Sequence, residues 1–489
     1  MMNLPELLVW LAIGGLLGLF SFGKWMVPLA GWLIPVFLLH FMRGADPITG
    51  ALGIFMVTWI TISIANRGIL YVPGTAYYVV SAIFAASYTL PYLADRLVGP
   101  HLPGFAATLV FPLAWVMMEL IVARTNPFGT WGAVAYSQYN NQPLMQLASV
   151  AGLGGIAFLI TWFGSVVNWA WNLKFDWAVI QTGVLIYAGV WVLVMLGGGL
   201  RLALANSHLK KIRVAALGWP GHIIQESEMY QSLEPNLTAE ERQHFAQKFQ
   251  QLHDWFLEGS QREARAGAKI VVWPENNIMV YAEDQAAFMQ RAKQLARQEQ
   301  VYLSMGIATV RLGEARPVEP TTVLVDSSGE VASTYIKNRL VPGWEASHMV
   351  AGDGRIRTVD SPHGRIASVI CYDMDFPFFI RQVGKAAADI LLVPASDPEQ
   401  TGLLHSRIAV FRAVENGVSM VRPARWGVHS AVDPYGRTMA TMEEDSVEQR
   451  VMVAQVPTRG VRTVYSRVGD LFAWLCAVGF LGSAVWAVF

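Results

Sequence analysis

The spacing of apolar residues constrains this chain more than any motif in it. Runs at 7–22, 25–42, 48–65, 75–94, 105–123, 150–171 and 179–196 precede a polar middle, and one more, at 471–489, closes the sequence. A helix crosses the hydrocarbon core of a bilayer in about 20 predominantly apolar residues, and these runs approach that length with few charges. They predict a multi-span α-helical membrane domain over 1–200 with seven crossings. A polar domain over 201–457 follows, then a tether and a C-terminal transmembrane helix over 458–489. The composition fits, since 53% of residues are hydrophobic and only 15% charged. Basic and acidic residues balance at 36 each, so no net charge draws the chain to nucleic acid. The first run has MMNLPE before it in place of a basic start, which reads as a retained helix and not as a cleaved signal.

Seven crossings put the polar domain on the side opposite the N-terminus. Loop charge does not choose the side. With the N-terminus inside, the inner loops hold Arg43, Arg96 and Lys174, and the outer ones Lys24, Arg67 and Arg124. The cluster Arg201, Lys210, Lys211 and Arg213 beside the polar domain mildly opposes an outer placement. Between the fifth and sixth runs, RTNPFGTWGAVAYSQYNNQPLM (124–145) is too polar and turn-rich to cross. Its Trp131, Tyr136 and Tyr139 suit an aromatic belt at the membrane surface on a solvated loop. Glu119, beside Met117 and Met118 in the preceding run, must face protein or water.

The polar domain alternates. A strand at 213–219 precedes a helix opened by Thr238 with Glu241 three residues on, a capping box. Phe245, Phe249, Leu252 and Phe256 mark that helix's buried face. Strands at 269–273, 302–310, 321–325 and 331–337 and a helix at 285–298 follow. Beyond residue 371 come helices at 376–388 and 403–416 and strands at 390–393, 418–421 and 428–432, with the last strands ending near 456. Such alternation implies a sheet with helices on a face. The stretch 457–469, with Arg459, Arg462 and Arg467, reads as an interfacial tether or a contact for lipid headgroups.

Three side chains carry chemistry at strand ends: Glu275 after KIVVWP, Lys337 after VASTYI, and Cys371 after the apolar pair Val369-Ile370. Each alone has a plain structural reading, a core thiol or a solvated charge. Jointly they supply what a thiol nucleophile needs, since a thiolate forms only beside a base or a cation. Cys476 lies in the last apolar run and is no disulfide partner for Cys371. The histidines show no metal-ligand spacing, and no glycine-rich phosphate loop or Ser-His-Asp pattern is signalled. No metal and no cofactor are expected.

WPEN around Glu275, YIKNRLVPGWE around Lys337 and VICYDMDFP around Cys371 resemble the nitrilase, or carbon–nitrogen hydrolase, family, and most closely its membrane branch, the apolipoprotein N-acyltransferases. The resemblance implies an α/β nitrilase-like αββα sandwich and a Glu275-Lys337-Cys371 triad. It implies Glu345, eight residues past the lysine, and a backbone amide near Tyr372 as supporting groups. AYSQ followed by PLMQLASVAGLGG is similar to that branch's lipid-facing loop, which makes Trp131, Tyr136, Tyr139 and Glu119 candidates for substrate binding. In that branch a phospholipid donates an acyl chain through a cysteine thioester to the α-amino group of a lipoprotein's diacylglyceryl-cysteine. The enzyme sits in the bacterial inner membrane with its catalytic domain on the outer face, and a monomer is expected. The chain departs from the family pattern at PGWE after the lysine, in the short stretch between Glu345 and Cys371, at VPASDPEQTG, and at Asp373, where glutamate is usual. A membrane-anchored amidase, with water resolving the thioester, an acyltransferase acting on a different lipid-anchored amine, and a lipid-binding transporter or sensor remain alternatives.

Overall fold

The computed structural model describes residues 4–70, 72–205, 210–398, 400–443 and 450–488. Residues 1–3 of the MMNLPE start and Phe489 of the last apolar run lie outside them. The chain forms two compact units, 1–205 with 467–489, and 206–466.

In the first unit the eight apolar runs are the helices Leu4–Gly18, Pro28–Gly44, Pro47–Ala65, Ala76–Val98, Val110–Thr125, Ala148–Asn172, Trp177–Ala203 and Leu471–Val488. Among the described residues, five helices are long and apolar enough to cross a membrane. Local chemistry starts several of these helices. Prolines occupy the first turn at Pro28 and Pro47, where an unbonded amide is lost anyway. Asp46 accepts from the Thr49 amide at 3.0 Å and Asp176 from the Ala178 amide at 3.1 Å. Large apolar side chains face outward, Leu193 at 71% and Trp486 at 69% exposure, a surface that suits lipid and not water. Inside, Arg43 pairs with the buried Asp95 at 2.8 Å, the arrangement a charge needs in apolar surroundings.

The polar 124–145 segment is not a solvated loop. It winds through a 3-10 turn at Val134–Gln138 and is largely buried. The Tyr136 hydroxyl lies 2.6 Å from that of Thr130, and the Trp131 indole donates to Asn66 at 3.3 Å while packing edge-on to Phe22. Glu119 accepts from the Trp115 indole at 2.9 Å and the Val134 amide at 3.0 Å, so it tethers this segment to its own helix. The expectation of solvent exposure fails because the segment's polar tips find partners within the unit, which lets its aromatic bodies be buried.

The second unit has two main sheets. The first joins β1 (Lys211–Leu217), β2 (Ile270–Val272), β3 (Ile278–Tyr281), β4 (Tyr302–Val310), β5 (Val318–Val325), β6 (Val331–Ile336) and the late strand β15 (Val451–Pro457), in the order β15-β1-β2-β4-β5-β6 with β3 beside β4. The second joins β7 (Thr358–Ser361), β8 (Gly364–Ser368), β9 (Ile390–Leu392), β11 (Ser419–Arg422), β13 (Val428–Val432) and β14 (Thr438–Glu443) in the order β14-β13-β11-β9-β8-β7. The short strands β10 (Ala395–Ser396) and β12 (Ala424–Arg425) pair with each other.

Alternation along the strands builds the layers. Ile212, Val214, Ala216, Ile270 and Val272 of the first sheet share a core with Ile366, Ile390, Leu392, Val421 and Ala431 of the second. The intervening Ala215, Leu217 and Val271 turn the other way, onto Phe256 of helix Ala239–Arg265 and Phe288 of helix Gln285–Glu299. Helices Pro377–Lys385 and Gly402–Asn416 accompany the second sheet. The sequence pattern predicts helices on a face; the structure has four layers, αββα, because apolar side chains on both faces of each sheet demand a cover on both.

Candidate active site

Glu275, Lys337 and Cys371 leave different strands and converge. Glu275 follows β2, and its amide donates to the Ala395 carbonyl at 3.2 Å. The Cys371 amide donates to the neighbouring Pro394 carbonyl at 2.9 Å. Two consecutive carbonyls beside β10 therefore hold the backbones of both residues. Gly306 of β4 is needed here, because a Cβ at that position would stand 2.0 Å from the Pro274 carbonyl oxygen and 2.9 Å from the Glu275 Cα. Cys371 has φ +42°, a left-handed conformation costly for a side-chain-bearing residue. The turn that begins at Cys371 holds this strained position and re-aims the thiol from the end of a buried strand.

Lys337 is fully buried, with Nζ 2.7 Å from Glu275 and 2.9 Å from Glu345. Glu345 in turn accepts from the Val341 amide at 2.9 Å, which fixes its carboxylate. Burial opposes the Lys337 charge, but the two carboxylates outweigh it and hold the ammonium well above its usual range. Burial pushes the Glu275 carboxyl up, with Lys337 offsetting only part of the effect and Glu345 adding to it. Burial likewise pushes the Cys371 thiol well up, reinforced by Glu275 and Asp397 and opposed by Lys337 and Arg422. At rest, then, the thiol keeps its proton and faces a carboxyl whose raised affinity suits proton exchange.

Asp373 joins the two loops that carry Lys337 and Cys371. Its carboxylate accepts from the Tyr335 hydroxyl at 2.7 Å, the Arg339 amide at 2.8 Å and the Ile370 amide at 3.0 Å. A glutamate would project one carbon further, so the shorter acid fits this bridging position. Tyr372 is buried, its ring edge-on to Phe376. Trp131, Tyr136, Tyr139 and Glu119 belong to the other unit, where three of them make the contacts described above and Tyr139 is partly exposed.

Sequence reasoning missed a second group of charges at the thiol. Asp397, His405, Arg422 and Asp375 gather there, with Cys371 Sγ 3.7 Å from Asp397 Oδ1. Asp375 stands within the Cys371 motif, but the separation of Asp397, His405 and Arg422 in the chain hides the group, although an arginine ending the apolar strand SMVR is a visible anomaly. Cys371, Asp397 and His405 present ligand-type atoms within 4.8 Å of one another. They do not suit a cation, since the Arg422 guanidinium already sits 2.7 Å from the Asp397 oxygen.

Two family models match the chain: "Carbon-nitrogen hydrolase" over residues 235–464 and "Apolipoprotein N-acyltransferase N-terminal domain" over 14–166. The αββα unit, with a cysteine, a lysine and a glutamate at one point, is thus a carbon–nitrogen hydrolase domain, here joined to a helical membrane unit. The chain is 27% identical to an apolipoprotein N-acyltransferase of Geobacter metallireducens, over 91% of this chain and 85% of that protein. It is 25% identical to one of Pseudomonas aeruginosa, over 83% and 79%. A nitrilase and fragile histidine triad fusion protein of Caenorhabditis elegans is 30% identical over 38% of this chain and 48% of its own length. The chain belongs to the apolipoprotein N-acyltransferase family and is a bacterial membrane enzyme.

Proposed function

We propose that this enzyme moves a fatty acyl chain from a phospholipid, through a thioester on Cys371, to the α-amino group of a lipoprotein's N-terminal diacylglyceryl-cysteine. The Glu275 carboxylate takes the thiol proton, and the thiolate attacks the ester carbonyl. The Lys337 ammonium, with a backbone amide near Tyr372, stabilises the oxyanion. Collapse breaks the ester C–O bond, and Glu275 returns its proton to the leaving lysophospholipid oxygen. The acceptor amine then attacks the thioester, gives its proton to Glu275, and the thiol is regenerated with that proton. Glu345 orients Lys337. The observation that carries this reading is the fully buried Lys337 ammonium between two carboxylates at the thiol. All these groups come from one chain, so the reading needs no second copy, and a monomer is part of it.

The helices Trp177–Ala203 and Leu471–Val488 flank the catalytic unit in the chain, so both its ends are anchored in the bilayer. Seven crossings before it and one after, in the inner membrane, with the catalytic unit on the outer face and Trp131, Tyr136, Tyr139 and Glu119 on the lipid-handling side, complete the reading. A domain anchored at a bilayer meets a phospholipid and a lipid-anchored amine at high effective concentration.

Mass spectrometry of the purified protein after incubation with phospholipid tests it. The expected result is an acyl adduct on Cys371, absent in Cys371→Ala, that a diacylated lipopeptide amine discharges. Discharge by water alone assigns an amidase-like hydrolase, and no adduct with any phospholipid overturns the reading.

A further inference from the structure

The thiol is held from two sides. On one lie Glu275 and Lys337. On the other, Asp397 Oδ1 receives three groups: Cys371 Sγ at 3.7 Å, His405 Nδ1 at 3.1 Å and Arg422 Nη2 at 2.7 Å. Cys371 Sγ also lies 3.8 Å from the Ser396 carbonyl oxygen. Asp397 has no exposed surface and Arg422 almost none. The other carboxylate oxygen, Oδ2, is pressed against Gly427, where a Cβ would stand 2.6 Å away. The Asp397 amide donates to the Arg425 carbonyl at 3.0 Å. Neither the backbone nor the carboxylate of Asp397 has room to turn. His405 reaches Asp375 with its second nitrogen at 3.7 Å, so an acidic pair brackets the imidazole.

We propose that Asp397, clamped by Arg422 and His405, is a positioning residue that keeps the Cys371 thiol protonated and oriented until an acyl donor is bound. Its purpose is proton bookkeeping. If the thiol ionises early, its proton goes to solvent, Glu275 remains a carboxylate, and no acid is ready for the leaving lysophospholipid oxygen. If the proton stays on sulfur until attack, it passes to Glu275 as the S–C bond forms and reaches the leaving oxygen as the ester C–O bond breaks. Electrostatics agree with this geometry. Asp397 raises the thiol's proton affinity, while Arg422 and His405 overcome burial and hold Asp397 itself well below the usual carboxylate range. The charged and titratable neighbours of the thiol are thus Glu275, Lys337, Asp397 and Arg422, with His405, Asp375, Tyr372, Glu345 and the buried His429 beyond them.

The inference rests on the thiol acyl-transfer reading, so its first measurement is independent of that reading. The full-length protein in detergent is alkylated with iodoacetamide across a pH series, and the Cys371 peptide is quantified. In Asp397→Asn the midpoint of alkylation is expected to fall by about one pH unit. The rate at pH 7 then rises only about threefold, because nucleophilicity drops as thiol pKa drops. Asp397→Ser, smaller and also uncharged, gives the same direction if the asparagine variant does not fold. An unchanged or raised midpoint, in a variant with the parent's thermal transition, overturns the proposal. The second measurement compares acyl donors. A p-nitrophenyl ester, whose leaving group needs no acid, should acylate the variant readily, whereas a phospholipid should acylate it at least tenfold less well relative to that ester. An unchanged ratio also overturns the proposal, while no acylation of the parent protein by either donor would instead sink the underlying function.

Discussion

Lys337 concentrates the energetics of the site in one atom. A buried ammonium without partners is excluded by its desolvation cost, and here Glu275 and Glu345 restore it within 2.9 Å. Lys337→Met removes the cation and leaves the buried Glu275 carboxylate facing the half-buried one of Glu345 with nothing between them. Acyl-adduct formation is expected to fall by about 10²–10³, the usual loss for an oxyanion-stabilising group, with the protein still folded; rates of adduct formation in matched vesicles check this. The same burial sets the pH dependence. Glu275 must be ionised to accept the thiol proton, and its carboxyl is raised. The acid limb of kcat/KM should therefore lie above the ordinary glutamate value of about 4.3. Lys337 is raised and must stay protonated, so it is not the group whose titration ends activity below about pH 10.4. A pH–rate profile with its acid limb at or below about 4.3 contradicts Glu275 as the base.

At the scale of elements, loops position these groups, and Asp373 ties two loops together. Asp373→Asn replaces an acceptor of three hydrogen bonds with a side chain that must aim an N–H group at a donor. A loss of about 1–3 kcal/mol is expected. The acid's pKa is pushed up to about 6 by burial, so the folded state keeps a proton that the unfolded chain has released. Stability from this group therefore grows as pH falls from about 6 towards about 4 and is least above 6. The variant should lose that slope, which thermal midpoints across the range will register. The strand–helix order was legible beforehand because it rests on local signals. Thr238 and Glu241 form the capping box, and Tyr302–Val310 is a strand over the range its pattern predicts. The convergence of Glu275, Lys337 and Cys371 was legible because each follows a strand in a quotable motif. The Asp397-His405-Arg422 group was not, since nothing local reports that residues 25 positions apart meet across a parallel strand pair. The buried 124–145 segment was misread for a related reason: polar residues look solvated until their partners, such as Asn66 for Trp131, are brought to them.

For the whole molecule, the decisive quantity is the side of the membrane on which the catalytic unit works. The sequence does not settle it, because basic residues divide evenly between alternate loops. Substrate chemistry does constrain it. An acceptor amine carried by an exported, lipid-anchored protein is available only on the outer leaflet, and polar backbone does not pass through hydrocarbon. With the acceptor proposed above, the catalytic unit is predicted to emerge on that side. Glu258 lies exposed on helix Ala239–Arg265, and with Cys371→Ala the remaining native cysteine, Cys476, is buried, so Glu258→Cys combined with Cys371→Ala provides a reporter with little background. A membrane-impermeant maleimide added to cells with a permeabilised outer membrane should label this position without lysis. Labelling that requires breaking the inner membrane would place the thiol, Glu275 and Lys337 in the cytoplasm. The proposed acceptor would then be out of reach, even if Cys371 still formed a thioester in detergent.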